Sequence, residues 1–321
     1  MGLVYCGMDE AGFGPMLGPL CVGMTAIRVR DWDPESGAPD VWSLLAPEVC
    51  RTAKDARGGR LAIADSKALK GSNALKTRHP LRHLERGVLA FAGAMGWELG
   101  DDHALRAQTG TALEDCAWQR GDPIALPLDW SEGERSIAVN VMHKALERAG
   151  IEVLDLRCRA IGVGEFNRVV ERSGSKGAAT EVALVEHMVR LRERWGGDDH
   201  VRVVCDRQSG RLDYRDLMRR VWGSGVEELE RSNRVSRYRV GERLGVQFVP
   251  EAEDAHFPVA LASMLAKLMR ELAMIRFNRY WAARVPELKP TAGYVQDARR
   301  WLDDAGDAVS ADDRRAMVRI A

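Results

Sequence analysis

The chain is organised by the stretch LVYCGMDEAGFGPMLGPLCVGMTAIRV, which covers residues 3–29. Within it, Leu3–Met8 is an unbroken apolar run that ends at Asp9, and such a run predicts a buried strand. The Gly- and Pro-rich segment Ala11–Pro19 predicts a loop. The second apolar run, Leu20–Val29, predicts a strand that returns beside the first. This stretch therefore predicts a hairpin whose loop directly follows a pair of acidic residues.

Strand and helix patterns alternate through the second half of the chain. The main predicted elements there are a helix over 136–149, a strand over 151–163, a helix over 178–195, strands over 201–205 and 246–249, and a long helix over 258–281. Shorter predicted elements are a strand over 61–64 and helices over 81–95, 214–222, 296–305 and 311–320. A hairpin followed by such alternation predicts the α/β class, with a mixed central sheet flanked by helices.

Composition places the chain among ordinary globular proteins. It has 321 residues, of which 45% are hydrophobic and 29% charged, so it can bury a sizeable core and is neither disordered nor collagen-like. The formal net charge is zero, so the totals predict no strongly basic surface. None of the six cysteines forms a C-x-x-C pair, and no apolar run reaches the ~18 residues that span a membrane. We therefore expect a cytoplasmic protein with reduced thiols and no membrane partner.

Acidic residues lie at or just beyond the ends of several predicted strands. They are Asp9 with Glu10, Asp65, Asp206 and Asp254. Open α/β sheets place their sites at strand ends, and clustered carboxylates repel one another unless a cation lies between them. Oxygen ligands favour Mg²⁺ or Mn²⁺, and two such ions can act on both oxygens of a phosphodiester. The alternative, that each Asp only forms a turn or caps a helix, stays open from this pattern alone.

Six motifs resemble those of the type 2 ribonucleases H. The first, GMDEAGFGPMLGP at Gly7–Pro19, resembles the family's opening G-I-D-E-A-G-R-G-P-x-x-G-P. In chain order the others are Asp65-Ser66-Lys67 (D-S-K), Val203–Asp206 (a strand ending in Asp), Asp254–Pro258 (D-x-x-Y-P), Ala262–Lys267 (A-S-I-x-A-K, with Arg270 three residues on) and Gly293-Tyr294 (G-Y). The first motif is long and specific, and the common order gives weight to the rest.

The resemblance implies a ribonuclease H-like fold with four metal-binding catalytic carboxylates. They map onto Asp9, Glu10, Asp206 and Asp254, and the implied cofactor is Mg²⁺ or Mn²⁺. The last assignment rests on the offset of Asp254 from a later proline. Counting back from the lysine of A-S-I-x-A-K selects Glu253 instead, and we prefer Asp254.

The resemblance also implies a domain organisation. A catalytic domain would span residues 1–281, and a helical segment over 282–321 would pack on it. Residues 30–60 and 71–135 match no motif, and we interpret them as insertions into the catalytic domain.

The resemblance further implies nucleic-acid contacts. In the family, the loop that corresponds to Gly12-Phe13-Gly14 presents its backbone to a ribose 2′-hydroxyl, the group that distinguishes RNA from DNA. Phe13 replaces the family's Arg, so a charged phosphate contact is lost, and the phenyl ring either stacks on the substrate or simply packs. Ser66 and Lys67 are expected near the substrate phosphates, and Tyr294 is expected to stack on a sugar.

Residues 201–250 are rich in arginine. They contain eleven Arg against seven Asp and Glu together, and Arg207 and Arg211 closely follow the carboxylate at position 206. This segment predicts a phosphate-binding surface that the neutral total conceals. A solvated helix face balanced by nearby acids explains the same composition equally well.

Together these features predict a monomeric endonuclease. It would hydrolyse the RNA strand of RNA/DNA hybrids, or ribonucleotide-containing DNA at RNA–DNA junctions, and leave 5′-phosphate and 3′-hydroxyl ends as the family does. The alternative is a nucleic-acid-binding module of the same fold with lost or altered catalysis, because a fold does not dictate a function.

Overall fold

The computed structural model describes residues 2–72, 78–196 and 200–320, and its centre is a mixed seven-stranded sheet. The sheet strands are β1 (Leu3–Ala11), β2 (Leu20–Val29), β5 (Ile151–Ile161), β6 (His200–Asp206), β7 (Val226–Arg231), β8 (Ser236–Val240) and β9 (Leu244–Val249). Two short strands, β3 (Val49–Cys50) and β4 (Leu61–Ala62), form a separate pair. The predicted hairpin of β1 and β2 is confirmed, whereas the predicted strand at 61–64 lies outside the central sheet.

The strand order is β5-β2-β1-β6-β9-β8-β7. β1 pairs antiparallel with β2 and parallel with β6, and β6 pairs parallel with β9. The carboxyl ends of β1, β6 and β9 therefore meet at one edge of the sheet. The hairpin of β7 and β8 extends the far side, and the sequence patterns did not predict it.

Helices cover both faces of the sheet. They are α1 (Val41–Leu44), α2 (Ser66–Leu69), α3 (Arg82–Ala94), α4 (Asp102–Thr109), α5 (Glu132–Arg148), α6 (Val163–Ser173), α7 (Gly177–Trp195), α8 (Arg215–Trp222), α9 (Phe257–Ala282), α10 (Val295–Ala305) and α11 (Ala311–Met317). Since side chains alternate along a strand, Leu3 and Tyr5 join the core with α3, α5 and α9, while Val4 and Cys6 join the core with α6, α7 and α8. The predicted mixed sheet flanked by helices is confirmed.

Two glycines bring the long helix α9 against the sheet. A Cβ atom on Gly7 would lie 2.1 Å from the backbone of Pro258 and Val259, and one on Gly23 would lie 2.2 Å from the Ala262 carbonyl oxygen. A larger residue at either strand position would push the helix away. This close approach places the start of α9 beside the carboxylate-bearing end of β1.

The predicted insertions contribute to the core. In the 30–60 segment, the Trp42 indole N–H donates to the Ile63 carbonyl oxygen at 2.8 Å, and the Trp42 ring packs edge-on against Phe257 of α9 at 5.1 Å. The predicted helix at 81–95 is confirmed as α3. Residues 73–77, at the start of the predicted 71–135 insertion, lie outside the described residues.

The C-terminal region is helical, as predicted, and it shares a core with the rest of the chain. Trp301 of α10 and Met317 of α11 pack with Trp281 of α9 and with Leu17 of the glycine-rich loop. The boundary between residues 281 and 282 remains a prediction. No helix among residues 2–72, 78–196 and 200–320 is both long and apolar enough to cross a membrane.

Candidate active site

Three of the predicted carboxylates lie at the shared edge of the parallel strands. Asp9 and Glu10 belong to β1, and Asp206 is the last residue of β6, the parallel neighbour of β1. Asp9 is 8% exposed, and its Oδ1 accepts a hydrogen bond of 2.7 Å from the backbone N–H of Glu10. Asp206 Oδ1 accepts one of 3.2 Å from the backbone N–H of Ala252. That bond ties the turn before α9 to the end of β6.

The same turn carries the fourth carboxylate, and it is Glu253 rather than the predicted Asp254. Glu253 is 6% exposed, its charge raises the pKa of Asp9 and Glu10, and the charge of Asp206 raises the pKa of Glu253. Asp254 is exposed, and its backbone carbonyl accepts a 2.9 Å hydrogen bond from Arg51. The assignment of Asp254 is therefore corrected.

The physical reason for this correction is the turn's backbone. Glu251 adopts a left-handed conformation with φ of 52° and opens a short 3₁₀ turn over Ala252–Asp254. Consecutive residues of such a turn point in different directions, about 120° apart. Only one of the two acids can then face the strand edge.

The carboxylates repel one another in a largely buried site. Burial, followed by the charges of Glu10 and Asp206, raises the pKa of Asp9 well above its ordinary range, although a hydrogen bond from Ser263 opposes the shift. Burial raises the pKa of Glu10 to about 7, with a further contribution from Asp206. Burial also raises the pKa of Glu253 to about 7, and Asp206 again adds to the effect. The site therefore holds more negative charge than its surroundings neutralise.

Lys67 is the cation that faces this cluster from α2. Burial works to lower its pKa, but the charges of Asp65 and Asp9, with those of the other acids, raise it overall. Its ammonium group in turn lowers the pKa of Glu10, Asp206 and Glu253. Asp65 caps the helix by accepting a 3.1 Å hydrogen bond from the Lys67 backbone N–H. Lys67 is exposed, so it can also reach a bound anion.

The donor set fits a hard divalent cation, although the carboxylates are not closed around one position. Asp9, Glu10, Asp206 and Glu253 offer only oxygen ligands, the kind that Mg²⁺ and Mn²⁺ prefer. Glu253 Oε2 is buried and accepts no hydrogen bond from the described part of the chain, which leaves it available to an ion. Within that part, no three His, Cys, Asp or Glu side chains are arranged so as to hold a metal ion as they stand. A cation would have to draw the carboxylates together.

The raised pKa values predict how the metal-free protein responds to pH. Glu10 and Glu253 have a folded-state pKa of about 7, above the ordinary value of 4.5, so folding favours their protonated forms. Their contribution to stability is complete at low pH and is lost as the pH rises from about 4.5 to about 7. We expect the melting temperature of the Glu253→Gln variant, relative to the parent, to rise across that range without metal. A constant difference between the two proteins would contradict the shift.

In the glycine-rich loop that follows β1, Gly12 and Gly14 have different surroundings. Gly12 has φ of 93°, and a Cβ there would lie 2.5 Å from the Arg270 side chain, so the position requires glycine. Gly14 is exposed with open space around it. The Phe13 ring is half-buried against the core on the α7 and α8 side. In the structure Phe13 therefore packs against the core, which is the second of the two roles considered for it.

The remaining predicted nucleic-acid residues fall into two groups. Tyr294 is 51% exposed at the start of α10, with the Arg270 guanidinium 5.9 Å from its ring centre, so its ring is available to a ligand. Ser66 is buried, and its hydroxyl oxygen lies 3.0 Å from that of Ser263. Ser66 joins α2 to α9 and is not placed to touch a substrate.

The two arginines after Asp206 are engaged within the protein. Arg207 is buried and donates to the carbonyl oxygens of Asn233 at 2.8 Å and Ser232 at 3.0 Å, in the turn between β7 and β8. Arg211 forms an ion pair of 2.5 Å with Glu181 of α7. Their predicted role as free phosphate contacts is corrected, because internal partners occupy both side chains.

Other arginines of the 201–250 segment have acidic partners nearby. The pairs include Arg215 with Asp213, Arg231 with Glu228 and Arg239 with Glu227. These pairs support the alternative explanation of the arginine-rich composition, namely a solvated surface on which nearby acids balance the arginines.

No family model and no curated protein matches the chain. Among solved structures, it is similar to a chain of the PCNA:RNase HII complex from Archaeoglobus fulgidus, with a TM-score of 0.43 and 14% identity over 99% of this chain and 94% of that one. It is similar to Bst-RNase HIII in complex with Mn²⁺ (TM-score 0.41, 15% identity, 99% of this chain and 66% of that one) and to Aquifex aeolicus RNase H3 (0.40, 13%, 98% and 71%). These neighbours are ribonucleases H, the family that the sequence motifs resemble.

Proposed function

We propose that the chain is a divalent-metal-dependent endonuclease that hydrolyses the RNA strand of RNA/DNA hybrids or of RNA–DNA junctions. The observation that carries the proposal is the cluster of Asp9, Glu10, Asp206 and Glu253, which buries several repelling carboxylates at one sheet edge. A structural role does not require this arrangement, because buried like charges destabilise a fold that has no cation to offset them.

In this proposal the residues of the site would have three roles: binding metal, binding a substrate phosphate and contacting a sugar. Asp9, Glu10, Asp206 and Glu253 would hold Mg²⁺ or Mn²⁺, and a pair of such ions supplies an activated water and stabilises the leaving 3′ oxygen. Lys67 would hold a substrate phosphate next to the carboxylates and offset part of its charge. The exposed ring of Tyr294 would support a sugar of the bound strand.

The choice of an RNA-containing substrate rests on the resemblance of the loop Gly12-Phe13-Gly14 to the family motif. Because Phe13 carries no charge and packs inward, this loop offers the substrate only its backbone groups. A continuous hybrid can engage more of the surface through its many phosphates than a single ribonucleotide embedded in DNA can. We therefore propose that continuous hybrids are the better substrate.

The test is cleavage of end-labelled substrates at one fixed salt concentration, with Mg²⁺, with Mn²⁺ and with a chelator. We expect metal-dependent cleavage of the RNA strand, 5′-phosphate ends, and a higher kcat/KM on a continuous hybrid than on a lone ribonucleotide in duplex DNA. An all-DNA duplex of the same sequence is the control. Tight binding of the hybrid without cleavage under any metal would instead support a binding module with lost catalysis. Absence of both would overturn the proposal.

A further inference from the structure

Arg319, near the C-terminal end of the described residues, binds the glycine-rich loop through hydrogen bonds. Arg319 is 3% exposed, and its Nη1 donates to the carbonyl oxygens of Gly12 at 2.6 Å and Pro15 at 3.5 Å. Its Nη2 donates to the carbonyl oxygen of Gly18 at 2.5 Å. Its backbone N–H donates to the Met16 carbonyl oxygen at 2.9 Å. One residue thus binds four carbonyl groups of a single short loop.

Because of these contacts, the carbonyl groups and the N–H groups of the loop have different partners. Its carbonyl groups at positions 12, 15, 16 and 18 are drawn towards Arg319 in the interior. On another side, the N–H groups of Met16 and Leu17 donate to the Gly293 carbonyl oxygen at 2.8 and 3.1 Å, next to Tyr294. The N–H groups of Phe13 and Gly14 have no hydrogen-bond partner within the described part of the chain. Phe13 and Gly14 follow Asp9 and Glu10 closely in the sequence, with only Ala11 and Gly12 between them.

Arg319 places a guanidinium group in the protein interior, where a neutral side chain would satisfy packing alone. Burial, with added repulsion from the nearby Arg270, lowers the pKa of Arg319 to about 9. Among the described residues, no carboxylate forms an ion pair with it, so the loop carbonyls are its main stabilising partners. An uncharged side chain such as Met would fill a similar volume without the cost of burying a guanidinium. The charge is thus best explained by the bonds it makes to the loop.

We infer that Arg319 is a positioning residue for the substrate strand. By binding four carbonyl groups of the loop, it fixes the loop backbone, so that the unpartnered N–H groups of Phe13 and Gly14 can donate to oxygen atoms of a strand bound beside Asp9 and Glu10. The inference rests on the proposed function for the identity of that strand. Arg319 itself does not touch substrate.

The experiment compares Arg319→Met and Arg319→Lys with Arg315→Met, an exposed arginine on the same terminal segment. We expect Arg319→Met to raise KM for the hybrid about tenfold, because bonds from a charged donor are lost, with a smaller change in kcat. Mn²⁺ affinity should stay near the parent value. Arg319→Lys should recover part of the KM effect, and Arg315→Met should match the parent.

Amide hydrogen exchange supplies a readout that does not depend on activity. In Arg319→Met the Met16 and Leu17 amides should exchange faster, while the amide of Tyr5, in the middle of β1, should not change. Unchanged exchange at Met16 and Leu17 together with an unchanged KM would overturn the inference. So would a folded Arg319→Lys variant with parental KM beside an unfolded Arg319→Met variant, since the role would then be structural only. If the parent neither binds nor cleaves the hybrid, the proposed function fails, and the exchange data still decide whether Arg319 holds the loop.

Discussion

Replacing Glu253 by Gln should lower metal-dependent cleavage by about 100-fold or more, whereas Asp254→Asn should leave the rate within about threefold of the parent. Glu253 is buried in the carboxylate cluster and its Oε2 has no internal partner, so its charge is available to an ion. Asp254 is exposed and contributes a backbone carbonyl, which the substitution leaves intact. Loss of a group that only supports a metal ligand costs about 10- to 100-fold, so loss of a ligand should cost at least as much.

The measurement is kcat on a continuous hybrid over a series of Mn²⁺ concentrations. For Glu253→Gln, we expect the Mn²⁺ requirement to increase together with the loss of rate. The two substitutions are isosteric and adjacent, so each is the control for the other. The opposite order of effects would restore Asp254 as the ligand and would show that the turn adopts another orientation when metal is bound.

Asp206→Asn should abolish cleavage while leaving the metal-free protein at least as stable as the parent. Burial raises the pKa of Asp206, and its charge also raises the pKa of Asp9, Glu10 and Glu253. Removing that charge relieves repulsion in the folded state, so the free energy of unfolding should not fall. With Mn²⁺ the order should reverse, because the parent gains about 2.7 kcal/mol at a metal concentration of ~100 times Kd and the variant gains less.

Thermal unfolding with and without Mn²⁺ measures both effects. Asp213→Asn is the matched control, since Arg215 holds the pKa of the Asp213 carboxyl at about 2, so there the charged form stabilises the fold. That variant should be slightly less stable and fully active. A large drop in melting temperature for metal-free Asp206→Asn would mean that Asp206 holds the turn before α9 through its bond to the Ala252 N–H, and that its main role is structural.

The local sequence predicted most of the long elements and three of the four clustered carboxylates, but not the β7–β8 hairpin. The apolar runs before Asp9 and Asp206 predict strands that end in acids, because a buried strand is recognisable from its composition alone. The glycine-rich loop likewise identified a turn at which Gly12 adopts a positive φ that other residues rarely tolerate. These features depend on residues within one turn or strand, so a single sequence is enough to find them.

Only the tertiary structure decided which side chains reach the site. The choice between Glu253 and Asp254 depends on the left-handed backbone of Glu251, and a one-residue shift along a turn redirects the side chain. Arg207 and Arg211 are not free to bind phosphate, because the fold brings backbone carbonyl groups to Arg207 and Glu181 to Arg211. Arg319 lies 307 residues from Gly12 along the chain. No local pattern links two residues whose contact exists only after the core has formed.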